Sequence, residues 1–317
     1  MLIAENLTKD YKDITAVNNV SFRVEPGRIF GLLGPNGAGK TTIIRTILNI
    51  IKSTSGVILF DGEPINDQFF NIIGYLPEER GLYKKSKTID VILYFARLKN
   101  MDKKTALSEA DHWLKKLDIS LYRNKKIEEL SKGNQQKVQF ITAIIHNPKL
   151  IVLDEPFAGF DPINQQLIRE IIISLSGMGR TIILSTHQMD TAEKLCSDIF
   201  LINKGKEVCS GSLTDIKKRF GTNTVKVIFE GDGSFINSLP SVIRTEKSNS
   251  PPDTGEKNNL LISEADHILS SVEVTLKEDI QPKDFLKDIM GRLSITHYSV
   301  VEPTLDKIFI DVIRNSQ

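Results

Sequence analysis

The sequence predicts an α/β fold on a mostly parallel sheet, and three observations predict it. Short continuous apolar runs recur over the first two thirds of the chain, at Ile29–Leu33, Ile72–Leu76, Leu150–Leu153, Thr181–Leu184 and Ile199–Ile202. Between them lie stretches with helical spacing, Thr42–Leu48, Pro162–Leu175 and Met189–Leu195. Strands that alternate with helices require right-handed crossovers and a parallel sheet. Third, the glycine-rich stretch Gly34-Pro35-Asn36-Gly37-Ala38-Gly39-Lys40-Thr41-Thr42 joins the first run to the first helix. Near Phe220 the pattern changes, and a smaller α+β unit is expected beyond it.

Bulk properties bound the rest. A chain of 317 residues suffices for two domains. Lysine plus arginine (41) nearly balance aspartate plus glutamate (40), so no broad basic face for nucleic acid is expected. Cys196 and Cys209 are the only cysteines and have no metal-ligand spacing, which fits thiols in a reducing compartment. Met1-Leu2-Ile3-Ala4-Glu5-Asn6 meets polar residues at once, unlike a signal peptide. No apolar run approaches the roughly 20 residues of a membrane helix. A cytoplasmic protein is expected, with any membrane work done through a partner.

In chain order, Met1 to about Phe22 reads as antiparallel strands laid over the glycine loop. Tyr11 among them could stack on a purine or pack as an ordinary strand tyrosine. The glycine loop is G-x-x-x-x-G-K-T, a phosphate cradle. Its backbone N–H groups and the following helix N-terminus attract anions. Lys40 is placed for the β- and γ-phosphates and the Thr41 hydroxyl for Mg²⁺, so a nucleoside triphosphate is the expected ligand. Val57–Phe60 is a strand turning at Asp61-Gly62. From Gly81 to about Asn147 a helical insertion is expected, with helices at Thr88–Ala96, capped by Thr88, and Lys103–Leu117. Lys84, Lys85 and Lys87 at its start are either a docking face or an ordinary solvated one.

The run ending in Asp154-Glu155 narrows the chemistry. Asp154 at a strand end can hold Mg²⁺, directly or through water. Glu155 beside it is placed to polarise a water as general base. Beyond Phe220, Val225–Phe229 and Val272–Leu276 read as strands, Lys247–Asn259 as a loop, and Pro282–Met290 and Pro303–Ile313 as helices. No catalytic motif lies there.

Three more stretches, Leu130-Ser131-Lys132-Gly133-Asn134-Gln135-Gln136, Ala158-Gly159-Phe160-Asp161 and Ser185-Thr186-His187, complete a pattern with the glycine loop and the Asp-Glu strand. In order and spacing, residues 1 to 220 resemble the ATP-binding-cassette transporter ATPases. The resemblance implies a P-loop NTPase cassette, residues 1–221, with a helical subdomain (about 81–147) and an antiparallel β subdomain, followed by an accessory domain, residues 222–317. It implies ATP and Mg²⁺ as ligands, with Asn36, Gly37, Ala38, Gly39, Lys40, Thr41 and Thr42 around the phosphates. Thr41, Glu78 and Asp154 then serve the metal, Glu155 is the base, and His187 contacts the γ-phosphate and the base. Tyr11 becomes the adenine-stacking residue. Ser131, Gly133 and Asn134, with Asp161, are assigned to nucleotide as well. In this family the signature sequence meets the γ-phosphate of the opposite subunit, so two chains share two sites as a homodimer or a cassette heterodimer. Ser131 would also cap the helix it opens.

Two positions depart from the family pattern. Glu78, in Tyr75-Leu76-Pro77-Glu78-Glu79-Arg80, stands where many members have glutamine, keeping an oxygen but losing the amide donor. Glu79 is the less favoured alternative by register. Lys132 replaces a usual second glycine, and its side chain must point away from the nucleotide. Tyr83 and the stretch Val301–Phe309 are similar to a bacterial exporter subfamily that carries an extra C-terminal domain and includes the sodium-efflux ATPases. That likeness implies an ATPase peripheral on the inner face of the cell membrane, held by a separate polytopic permease, driving export of sodium ions or drugs. The alternative is a soluble cassette ATPase in translation or regulation. It is disfavoured by the single set of motifs.

Overall fold

A computed structural model describes residues 1–79, 81–221, 223–247, 269–277 and 279–315. Most of the polar tract expected as a loop at 247–259, and Arg80, lie outside the described residues. By contacts the chain divides into two compact units, Met1–Ile216 with Phe309–Gln317, and Lys217–Ile308.

The first unit opens with β1 (Leu2–Tyr11) and β2 (Ile14–Val24), then β3 (Ile29–Leu33) and α1 (Lys40–Ile47), which flank the glycine loop. β4 (Ser55–Phe60), β5 (Glu63–Pro64) and β6 (Ile73–Leu76) follow. β2-β1-β4-β5 form an antiparallel sheet, as expected of the N-terminal stretch. Asp61 and Gly62, both at positive φ, make the tight turn between β4 and β5. Phe22 of this sheet packs on Phe30 (5.4 Å) and Phe200 (5.2 Å), joining the two sheets into one core.

Three helices stand between β6 and β7: α2 (Thr88–Leu98), α3 (Lys103–Lys116) and α4 (Lys132–Ile144). Thr88 does not cap α2 as expected. Lys87 occupies the cap position without a side-chain bond, and the Thr88 hydroxyl donates to Lys125 O (3.1 Å). Thr88 is wholly buried, so its hydroxyl goes to the carbonyl packed against it. Lys137 of α4 is buried too, and its Nζ donates to Leu117 O (2.9 Å), satisfying an orphan carbonyl at the end of α3.

β7 (Leu150–Asp154), α5 (Pro162–Gly177), β8 (Thr181–Thr186), α6 (Met189–Leu195), β9 (Asp198–Asn203) and β10 (Lys206–Ser212) complete the main sheet, in the order β10-β9-β3-β8-β7-β6. All neighbours are parallel except β10 on β9. β3, β7 and β8 are buried throughout, which is why they read as unbroken apolar runs. Because these strands are parallel, the glycine loop, Asp154-Glu155 and Ser185–His187 all leave the same edge of the sheet. This is the edge where open α/β sheets hold ligands.

After α7 (Leu213–Phe220), β11 (Thr224–Glu230), β12 (Val242–Lys247), β13 (Leu269–Leu276) and β14 (Ser294–Val301) form an antiparallel sheet ordered β12-β13-β11-β14. α8 (Pro282–Met290) covers it through Phe285 and Ile289, both fully buried beside Val225, Val227 and Val274. α9 (Leu305–Asn315) ends the chain. β10, α7, β12 and β14 had no clear sequence signal. β14, Ser-Ile-Thr-His-Tyr-Ser-Val-Val, alternates too weakly to declare itself.

Candidate active site

The glycine loop is shaped by close approach. Gly39 sits at φ +113, and a Cβ there would fall 2.6 Å from Ala16 O. Gly34 would place a Cβ 2.2 Å from Ile202 O. Only glycine lets the loop pass under β2 and β9 at these points. Within the loop Ala38 is buried and its N–H donates to Pro35 O (3.2 Å). α1 then starts at Lys40, so its first N–H groups have no intrahelical partner and its positive end opens onto the loop.

Lys40 is 7 % exposed, and its Nζ donates to Gly34 O (2.6 Å) and Pro35 O (3.1 Å). Burial lowers the pKa of its ammonium, against the attraction of Glu155, Asp154 and Glu78. Asp154 ends β7. Burial pushes its carboxyl pKa up, the Ser185 hydroxyl opposes that, Glu78 and Glu155 add to it, and Lys40 opposes it. One buried ammonium thus faces a surplus of carboxylates.

Glu155 adopts φ +47, a left-handed conformation rare for a residue with a side chain. Its N–H still donates to Ser185 O (2.9 Å), so the β7–β8 ladder runs one residue past the strand before the chain turns. Such local strain persists only when the surroundings over-determine it. Here they do: Oε2 accepts from Thr186 Oγ1 (3.0 Å), and Oε1 from His187 N (2.9 Å) and Nδ1 (2.6 Å). With the carboxylate ionised, Nδ1 carries the hydrogen of that contact. The His187 ring is otherwise half exposed.

These groups enclose a cavity of about 290 Å³ lined by Ala16, Asn36, Gly37, Gly39, Lys40, Thr41, Thr42, Glu78, Asp154 and Glu155. Glu78, not Glu79, faces it. The cavity therefore collects the loop, the α1 N-terminus, two threonines and three carboxylates, an arrangement suited to phosphate with a hard cation. Among the described residues no cluster of three or more His, Cys, Asp and Glu could hold a metal by itself.

The other expected site residues stand apart from this cavity. Tyr11, at the end of β1, is 44 % exposed, with Lys9 Nζ 5.1 Å from its ring centroid. One ring face is therefore occupied by a cation rather than by an apolar neighbour. Ser131 caps α4, accepting from Asn134 N (3.3 Å). Gly133 lies beside Phe160 and Gly159, so the signature stretch and the loop after β7 are neighbours. Asp161 caps α5, accepting from Asn164 N (2.9 Å) and Nδ2 (2.6 Å), and these bonds lower its carboxyl pKa.

Sequence reasoning assigned no role to four residues that shape the site. Ala16 lines the cavity from β2. Thr186 holds Glu155. Gln139 Nε2 donates to Glu79 O (3.0 Å) and Pro77 O (3.4 Å), carbonyls on either side of Glu78. Gln136 Nε2 reaches Pro156 O (3.4 Å). The latent signal was two buried glutamines one helical turn apart, each needing a partner.

The family model described as ABC transporter matches residues 17–158. One described as ATP-binding protein DrrA1-3-like, C-terminal domain, matches residues 211–313. The chain is 41 % identical over 311 residues, 98 % of each chain, to YhaQ of Bacillus subtilis (strain 168), an uncharacterized ABC transporter ATP-binding protein. It is 33 % identical over 228 residues, 71 % of this chain and 73 % of the other, to the linearmycin resistance ATP-binding protein LnrL of the same organism. A solved ATP binding subunit of an ABC transporter superposes with a TM-score of 0.66 at 28 % identity, covering 70 % of this chain and 93 % of that one.

Proposed function

The chain belongs to the ABC transporter ATP-binding proteins, ATPases that drive transport, and from that premise we propose that it powers an exporter through a separate polytopic permease. The observation that carries the catalytic reading is Glu155. It is buried at the end of β7, held on both oxygens by Thr186 and His187, and faces Lys40 across one cavity.

In this reading the γ-phosphate lies against Lys40 and the first turn of α1. Glu155 orients a water and takes its proton. His187 keeps the carboxylate in place through its N–H and Nδ1, and its half-exposed ring is the part that meets the γ-phosphate. Thr41, Asp154 and, through Glu78, the loop after β6 supply oxygens for Mg²⁺, the donor type that this cation takes with water and phosphate oxygens. Asp154, hard to ionise chiefly because it is buried and further because Glu78 and Glu155 lie near it, fits a site that gains a cation together with nucleotide. Mg²⁺ would neutralise charge on the phosphates as the leaving group departs. Tyr11 offers an exposed ring to adenine.

Ser131, Gly133 and Asn134 stand outside the cavity of their own chain, which supports a dimer in which each α4 N-terminus meets the nucleotide of the other subunit. A homodimer is the simplest form. Among the described residues no helix is long and apolar enough to cross a membrane. We place the protein on the cytoplasmic face, held there by its permease. Residues 222–317 are assigned a contact or regulatory role. The name of the linearmycin-resistance relative favours a drug-like cargo over sodium ions.

Glu155→Gln tests the catalytic assignment. ATP binding should persist while turnover falls by about 10²- to 10⁴-fold, the range for loss of a general base. The ATP-bound dimer should then accumulate on size-exclusion chromatography. Near-normal turnover in this variant would remove Glu155 from the role.

A further inference from the structure

The two oxygens of Glu155 are not equivalent. Oε1 accepts from both His187 N (2.9 Å) and His187 Nδ1 (2.6 Å). A carboxylate oxygen has two in-plane lone pairs, so Oε1 is fully used. Among the described residues, Oε2 accepts only from Thr186 Oγ1 (3.0 Å), which leaves one lone pair open. The Thr186 hydroxyl is itself fixed. It accepts from Gln188 N–H (3.1 Å), which turns its own hydrogen toward the carboxylate. Thr186 is the last residue of β8 and is 1 % exposed, so the hydroxyl stands on a rigid, packed strand end.

We propose that Thr186 is the positioning residue of the hydrolytic reaction, and that Glu155 Oε2 is the atom that receives the proton of the attacking water. The inference rests on the reading of Glu155 as the base. In the step, the water oxygen bonds to the γ-phosphorus and the bond from that phosphorus to the β–γ bridging oxygen breaks. The electron pair leaves with ADP, and one water proton passes to Oε2. Without the Thr186 hydroxyl the carboxylate is held from one side only. It can then rotate about its terminal torsion and carry Oε2 off the line of the water. His187 would still hold Oε1, so ATP binding should persist, while Gln188 N–H loses its acceptor and some stability is lost with it. Small losses of alignment at a reacting centre cost rate rather than affinity.

Valine matches threonine in shape but puts a methyl where the hydroxyl stands. Thr186→Val should lower kcat by roughly 10- to 100-fold, the scale of such misplacement, with KM for ATP near that of wild type and a lower thermal midpoint from the unpaired Gln188 N–H. Thr186→Ser, which restores the hydroxyl, should recover most of that loss. Thr186→Ala, which has no bulk to misfit, should repeat the valine result if valine perturbs folding. The three are compared with Glu155→Gln and with the Glu155→Gln/Thr186→Val double variant. Because Thr186 acts through Glu155, the double variant should be no slower than Glu155→Gln alone. Wild-type kcat in Thr186→Val beside an inactive Glu155→Gln would overturn the role of Thr186 and leave the base assignment standing. An active Glu155→Gln would instead overturn the base. A serine variant as slow as valine, or a further loss in the double variant, would make Thr186 a structural residue.

Discussion

The cavity at the end of β3 and the N-terminus of α4 both offer backbone donors at a helix start, yet they are built in opposite ways. At the cavity Lys40, Asp154 and Glu155 are buried, each within reach of the others' charge. At α4, Ser131 and Lys132 are exposed, the first turn holds no acid, and the side chain of Ser131 is bonded within its own cap. Buried charges cost desolvation, and a fold keeps them where they act on one another or on a ligand. A capped and exposed helix start costs little and carries no chemistry of its own. The cavity is therefore a site in the single chain. On the proposed reading, the α4 terminus becomes part of one when another subunit supplies the phosphate.

That contrast predicts which variants act on the isolated chain. The largest effect should be Lys40→Ala. Loss of charge-assisted bonds of about 1.5–3 kcal/mol should weaken ATP binding by roughly ten- to a hundredfold even below the concentration at which chains pair. Ser131→Arg should leave binding to the isolated chain as it is. Calorimetry or nucleotide fluorescence at low protein concentration measures both. Equal losses in the two variants would erase the distinction between the regions.

A smaller effect is expected at Glu78, which lines the cavity from a loop whose carbonyls on either side of it are bound by Gln139. Glu78→Gln should keep hydrolysis within about tenfold, or 1.4 kcal/mol of barrier. Glu78→Ala should lose more and raise the Mg²⁺ concentration required. An alanine variant with unchanged Mg²⁺ dependence would take Glu78 out of the metal side of the site.

What the sequence revealed of this site follows from distance along the chain. The glycine loop and its Lys40-Thr41 are legible because their chemistry is local, with fixed spacing between one strand and one helix. Asp154-Glu155 is legible as a carboxylate pair at the end of an apolar run. Thr186 lies 31 residues from the carboxylate it holds and Gln139 60 from the carbonyl of Glu79, so neither contact leaves a local pattern. Thr88 shows the converse failure. The residue type suits a cap, but complete burial turned its hydroxyl to Lys125. In the second unit β11 declared itself through Val225, Val227 and Phe229, which form the core, whereas its partner β14 places threonine, histidine and serine among its apolar residues.

Mixing inactive chains asks whether Lys40 of one chain and Ser131 of another complete a single site. Ser131→Arg and Lys40→Ala proteins are each prepared with different tags, shown to be inactive alone, and combined. Heterodimers isolated through both tags hold one intact composite site, with Lys40 from the first chain and Ser131 from the second. If the site is shared, ATPase activity returns in that fraction and in neither parent. Doubly tagged dimers that remain as inactive as their parents would contradict it.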